Sequence, residues 1–271
     1  MTLPSLISIG ASLVSRRVIY PTVLLIIFLG VWELASDKGW LPAFLVPAPS
    51  TIFHRIIETR GLLAMHALAT SYEILMGFLL AVIGGVLLGA AVVSSRTVED
   101  AVYPWLVVVQ VIPKVAVGPL LAIWLGFGYG PKILIAFLLA FFPVMINTML
   151  GFKSIQRDAT FLMQTMGAGQ FQIFRYLLVP HALPSICGSL KVAVTLAAVG
   201  AIVGEFIGAN TGLGYVLMTA NGILDASLLF VALFWITLVA LLFYAAVSIV
   251  ERLLIPWHVS IRAPVEALAN N

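Results

Sequence analysis

The chain has 271 residues, of which 62% are hydrophobic and 9% charged, and its formal net charge is +3. A soluble domain carries about a quarter charged residues, so this composition excludes a water-soluble enzyme core, and the single cysteine, Cys187, excludes an intrachain disulfide. A helix crossing a bilayer needs ~20 apolar residues, because each backbone N–H and C=O must pair within the segment. Residues 1–271 therefore read as a single all-α membrane domain.

Arg16 and Arg17 precede an apolar run, Val18–Ala35. The run has no small-residue cleavage pattern, so an uncleaved first span is expected rather than a signal peptide. The loop that follows, LVPAPSTIFHRIIETR, predicts a short helix at the outer membrane surface. Ser50 or Thr51 can cap that helix just after Pro49, and Ile52, Phe53, Ile56 and Ile57 share one face. A connecting helix that only packs fits the same pattern.

Five more apolar segments follow: Thr70–Val93, Ala101–Leu125, Lys132–Phe152, Leu183–Ile207 and Ala226–Val250. Gly85 and Gly89 in the second, and Gly200, Gly204 and Gly208 in the fifth, have the spacing that lets helix backbones approach in lipid. Putting both ends of the chain inside places Arg16, Arg17, Arg96, Lys153, Arg157, Arg175, Arg252 and Arg262 in the cytoplasm. Lys38, Arg55, Arg60 and Lys132 then lie outside. Eight against four agrees with the enrichment of Lys and Arg on the cytoplasmic side.

Between the fourth and fifth spans lies a stretch that cannot cross a membrane. Asp158 favours the start of a helix running through Met166, and Gly167 suits the left-handed residue that ends one. A second helix is expected from Gly169–Gln170 to Val179, with Phe171, Phe174, Leu177 and Leu178 on one face. Pro180 and Pro184 are expected to separate it from the fifth span. On physical grounds alone, a hairpin resting on lipid headgroups fits as well as a docking element.

The residues from Asp158 to Ala193, DATFLMQTMGAGQFQIFRYLLVPHALPSICGSLKVA, resemble the EAA loop of binding-protein-dependent ABC importer permeases. Asp158-Ala159, Gly167, Ile173 and Leu183-Pro184 fit that pattern; Asp158 replaces the usual Glu, and Thr160 replaces an Ala. The segments GFLLAVIGGVLLG, VIPKVAVGPLLAIWLGFG, FFPVMINTMLGF and VGEFIGANTGLGYV look like the nitrate/sulfonate/taurine branch, and the resemblance covers residues 18–258. The Gln110–Lys114 variant is similar to members assigned to thiamine-precursor or riboflavin uptake.

The resemblance implies a type I ABC importer permease fold of six spans, with its core at about 60–255 and a cytoplasmic coupling loop at about 153–182. It implies that Asp158, Ala159, Met166, Gly167, Ala168, Gly169, Phe171 and Ile173 dock onto a separate ATP-binding subunit. ATP and Mg would be held there, as a dimer of that subunit, with no cofactor or metal in this chain and no nucleic acid. No G-x-x-x-x-G-K-[ST] phosphate loop occurs in the sequence. The other implied partners are an extracytoplasmic solute-binding protein and a second copy of this permease or a similar one. The implied location is the bacterial inner (plasma) membrane, with both termini cytoplasmic. The implied solute is a small organic or inorganic anion of sulfonate, taurine or nitrate type, or a vitamin precursor.

Ionisable groups inside spans are costly and usually face protein or a watery path. Glu73, Lys114 and Glu205 are the candidates, with Gln110 one turn before Lys114 and Pro113 freeing a carbonyl beside it. Lys114 paired to Glu73 or Glu205 as structural glue is the competing reading. Asn147 and Asn210 are weaker polar candidates. His54, His66, His181 and His258 have no metal-ligand spacing. An ion-gradient-driven secondary transporter would show internal repeats and a carboxylate chain, and an intramembrane enzyme would show clustered catalytic groups; neither pattern is evident.

Overall fold

A computed structural model describes residues 5–42 and 44–256, with side chains from residue 19 onward. Among the described residues there is no strand. The helices are α1 Ser5–Asp37, α2 Pro49–Ser94, α3 Arg96–Val111, α4 Gly118–Leu125, α5 Tyr129–Lys153, α6 Arg157–Thr165, α7 Gln170–Ile173, α8 Val179–Phe206, α9 Leu213–Gly222 and α10 Ala226–Leu254. Arg262 and His258, and the side chains of Arg16 and Arg17, lie outside what is described.

Five helical segments are long and apolar enough to cross a membrane, and α3 with α4 forms a further, broken candidate bent by 79°. The break follows from Pro113. Ile112 before it is extended, at φ −59° and ψ 127°, as a proline ring requires of its predecessor. A 3-10 turn, Lys114–Val117, then leads into α4. Glu99 of α3 ion-pairs with Lys153 at the end of α5 nearest α6. Phe127, just past α4, packs on Gly208 beyond the far end of α8. The broken pair thus reaches both ends of the bundle and counts as a sixth candidate crossing among the described residues.

The core is the α2–α5–α8 layer, with α10 and α9 packed against it. Small residues set its closeness. A Cβ on Gly200 would sit 2.6 Å from the Ala136 Cα, and one on Gly204 would sit 2.8 Å from the Lys132 Cα. On the other side of α5, a Cβ on Gly77 would meet the Ala136 side chain at 2.5 Å and one on Gly89 the Met145 carbonyl at 2.8 Å. Backbones this close gain dispersion contacts that larger residues would forbid. The ridge of α2 is Gly77, Ala81, Gly85 and Gly89, one turn at a time, and it is longer than the Gly85/Gly89 pair alone.

Four expectations are corrected. The short surface helix does not stand apart: α2 runs unbroken for 46 residues, about 70 Å at 1.5 Å per residue, so the surface segment and the second span are one rod. Its N-cap is Ala48, with no side-chain cap. Ser50 instead donates its N–H and hydroxyl to the Glu33 carboxylate of α1. Gly208 is not part of the α8 ridge; it lies past the helix end at φ +135°, a turn glycine. Pro180 and Pro184 do not separate the loop helix from the fifth span. A π-helical turn, Phe174–Leu178, joins α7 to α8, so Gln170–Phe206 is continuous. The wider i→i+5 pairing of such a turn changes which carbonyls need a donor ahead of Pro180. Finally, Lys132, counted among the outside cations at the start of its apolar run, is buried and paired with Glu73. It lies in the first turns of α5, 5% exposed.

Candidate functional site

Two places on the molecule concentrate chemistry: the α6–α7 element at one end and a buried charged cluster toward the other. At the first, α6 spans Arg157–Thr165, and Asp158 lies in its first turn, where a negative charge is favoured. Gly167 follows at φ +81° with no atom within 4 Å of a would-be Cβ, so the site demands a left-handed residue rather than a small one. The Gly169 N–H donates to the Gln172 side chain at 2.9 Å, closing the start of α7.

The apolar face of this element is divided. Ile173 is buried, and the Phe174 ring stacks on Phe152 with centroids 5.9 Å apart. Leu178 packs on the Phe152, Ala182 and Ile186 cluster. These residues anchor the element to the bundle. Phe161, Leu162, Met166 and Phe171 remain exposed, Phe171 at 73% and Met166 at 75%. Asp158 and Gly169 are exposed, and Ala159 and Ala168 half-buried. Beside them lies a groove of about 550 Å³ bordered by Val93, Thr160, Gln164, Phe171 and Phe174. An exposed apolar patch of this kind, next to a concave surface, marks an interaction site.

The path candidates separate in space. Lys114 is half-buried; its ammonium donates to the Gln110 carbonyl at 2.7 Å and lies 4.7 Å from the Phe142 ring centroid. It therefore occupies the C-terminal end of α3, where carbonyls lack helical partners and a cation is favoured. Pro113 and Gln110 are exposed, and Gln110 lines a cavity of about 360 Å³ with Tyr103, Leu106, Met145 and Met149. The carboxylates are elsewhere. Glu73 and Glu205 are 0% and 1% exposed. The partner of Glu73 is Lys132, at 2.7 Å, and not Lys114. Glu205 accepts from the Thr70 hydroxyl at 2.6 Å and from the Gly214 N–H. Glu73 Oε2 is buried without a hydrogen-bond partner. Asn147 donates to the Pro143 carbonyl within α5, and Asn210 is exposed.

Sequence reasoning missed three members of this cluster. Lys132 sits at the edge of an apolar run. His66 accepts from the Gly212 N–H through Nδ1 at 3.0 Å, and Thr70 accepts from the Leu213 N–H at 2.8 Å. The signal that could have found Thr70 is its helical spacing from Glu73. For His66 only the fold supplies one. No group of three or more His, Cys, Asp or Glu with metal-holding geometry occurs among the described residues.

The family described as the binding-protein-dependent transport system inner membrane component matches residues 81–258. The chain belongs to this family. The permease is 37% identical to the formylaminopyrimidine transport permease protein of Halalkalibacterium halodurans, over 90% of this chain and 98% of that one. It is 38% identical to the riboflavin transport system permease protein of Chloroflexus aurantiacus, over 88% and 90%. The taurine transport system permease protein of Escherichia coli is 27% identical, over 90% and 91%. In fold the permease is similar to a solved chain of the MetNI methionine ABC transporter, with a TM-score of 0.63 over 72% of this chain and 97% of that one, at 18% identity. It is an ABC importer permease with the type I fold, and a multi-pass transport subunit rather than an enzyme.

Proposed function

We propose that the permease forms half of the solute path of an ATP-driven importer and receives its power stroke through the α6–α7 element. A dimer of ATP-binding subunits, holding ATP and Mg, docks on that element. An extracytoplasmic binding protein delivers the solute, and a second permease, either a copy or a similar chain, completes the path. The observation that supports this most is the exposed patch of Phe161, Leu162, Met166 and Phe171 beside the groove, in a chain of this family. The solute class we favour is a planar nitrogen heterocycle of vitamin or vitamin-precursor type. Two relatives at 37% and 38% identity are named for such solutes, and a taurine relative is 27% identical. The test is co-expression with candidate ATP-binding subunits. ATP hydrolysis stimulated by solute-loaded binding protein in the mixed complex, and in neither part alone, supports the proposal; hydrolysis indifferent to the permease overturns it.

The α6–α7 end is assigned to the cytoplasm of a bacterial cell and both termini with it. With Lys132 moved into a span, the count of Lys and Arg stands at eight inside against three outside. Cysteine introduced at Gln170, in a Cys187→Ala background, is expected to stay unlabelled by an impermeant maleimide on intact cells. One introduced at Arg55 is expected to label. The reverse pattern would invert the assignment.

Gln110, Pro113 and Lys114 are assigned to the solute path. Lys114→Met keeps an unbranched stem and removes the charge, so assembly with the ATP-binding subunit is expected to persist. Uptake at matched expression is expected to fall roughly tenfold, the loss of a charge-assisted contact. Uptake equal to the parent would remove Lys114 from the path.

A further inference from the structure

Beyond the end of α8, the chain passes through residues 207–212 before α9 begins. Two glycines in this loop have positive φ, Gly208 at +135° and Gly212 at +113°. Nothing in such a backbone obliges it to follow α8. Yet four consecutive backbone groups at its end are each held by a different side chain of the core layer. The Thr211 carbonyl accepts from the Lys132 ammonium at 3.4 Å. The Gly212 N–H donates to His66 Nδ1 at 3.0 Å, the Leu213 N–H to the Thr70 hydroxyl oxygen at 2.8 Å, and the Gly214 N–H to Glu205. Two of the holders are tied directly, since Thr70 donates to Glu205, and Lys132 is tied to α2 through its pair with Glu73. They come from α2, α5 and α8. A Cβ on Gly212 would lie 2.0 Å from Glu205 Oε1, so the fit leaves no space for a side chain.

The same three helices reach the other end of the molecule. α8 continues without a break into α7 through the π-helical turn, and α5 ends beside α6. Between the ends, the glycine contacts of Gly77, Gly89, Gly200 and Gly204 leave the layer little freedom to shear. Placing an ion pair and a second carboxylate at 0–5% exposure in a spanning domain is costly. That expense is out of proportion to closing one short loop, unless the loop must move with the layer.

We propose that His66, Thr70, Lys132 and Glu205 form a clasp that makes the outer loop 207–212 and α9 a rigid extension of the α2–α5–α8 layer, so that the outer mouth moves when the cytoplasmic element moves. These are positioning residues: Thr70 and Glu205 are each 1% exposed. Two members of the arrangement, His66 and Thr211, also border an outer cavity of about 420 Å³ with Tyr72 and Tyr129. A group entering that cavity would meet the clasp directly. The inference rests on the importer reading for its direction of motion, but not for the fixing of the loop.

The test uses the permease assembled with its ATP-binding subunit, carrying Asn210→Cys in a Cys187→Ala background. Asn210 is exposed in the middle of the loop. The reading is the rate of labelling by an impermeant maleimide, without nucleotide and after trapping with ATP and vanadate. Thr70→Val keeps the shape and loses the hydroxyl's contacts to Glu205, to the Leu213 N–H and to the His66 carbonyl within α2. It is expected to raise the nucleotide-free rate roughly tenfold and to abolish the difference between the two states, with uptake falling while ATP hydrolysis continues. Thr70→Ser restores the hydroxyl and is expected to restore all three. If Thr70→Val does not assemble, His66→Ala at its half-buried site gives the same readings with a smaller effect. A nucleotide-free rate equal to the parent in whichever variant assembles overturns the clasp. A parent complex that hydrolyses no ATP would count against the importer reading instead, and the nucleotide-free comparison would still decide the clasp.

Discussion

Lys132→Met is expected to destabilise the permease more than any other single side-chain replacement in the cluster. The change leaves Glu73 buried at 0% exposure, without the ammonium 2.7 Å away that compensates it, and beside a second buried carboxylate. Removing one partner of a buried ion pair costs about 3–5 kcal/mol, because the remaining charge keeps its desolvation penalty. For a chain of this size that is a fall in apparent melting temperature of roughly 10 °C, measurable by size-exclusion of heated, detergent-solubilised protein. The double variant Lys132→Met with Glu73→Gln removes both charges and is expected to recover most of the loss. A single variant as stable as the parent, or a double variant as unstable as the single, would show that the pair is not what holds these helices.

Gly167→Pro is expected to separate insertion from coupling. Gly167 sits at φ +81°, and a proline ring fixes φ near −65°. The turn between α6 and α7 cannot form around it, so the exposed patch of Met166 and Phe171 is no longer presented in one geometry. Recovery of the ATP-binding subunit on the purified permease is expected to fall at least roughly tenfold, the effect of losing an interface hot spot. Expression and melting behaviour should change little, since a side chain at Gly167 would meet nothing within 4 Å and the proline removes one backbone bond, to the Gln164 carbonyl. Gly167→Asn serves as the counterpart: Asn tolerates the left-handed region, and open space surrounds the position, so binding is expected to be retained. Equal recovery with proline and asparagine would mean that the turn does not present the docking surface.

Much of the fold could be read from the residues because the bilayer imposes it. Every crossing needs about twenty apolar residues, and the six apolar runs became five long helices and one bent pair. The break at Pro113 and the left-handed Gly167 were also legible, since each follows from a single residue's backbone restriction. The cluster was legible only in part. Glu73 and Glu205 stand out as charges within apolar runs, but their partners do not. Lys132 lies 59 positions from Glu73 and at the boundary of its run, where it reads as one of the outside cations. His66 and Thr70 hold backbone amides, and a contact to backbone leaves no complementary residue type in the sequence. The continuity of α7 with α8 was hidden for a different reason: prolines report where a regular α-helix must stop, and the π-helical turn is not regular.

That turn has a consequence for how the chain can vary in length. A π-helical turn amounts to one residue more than an α-helical turn needs. Deleting a single residue within Phe174–Leu178 would let the segment close as ordinary α-helix. The helix would survive, and because the i→i+5 turn fits its extra residue into about the rotation and rise of an ordinary α-helical turn, everything before the deletion would stay roughly where it is. Phe171 and the Gly167 turn would keep their bearing on the bundle. The turn is therefore a place where the chain can lose a residue without turning the moving partner's seat against the rods that cross the membrane. Chains that share this bundle but lack one residue here would still present their seat in the same direction.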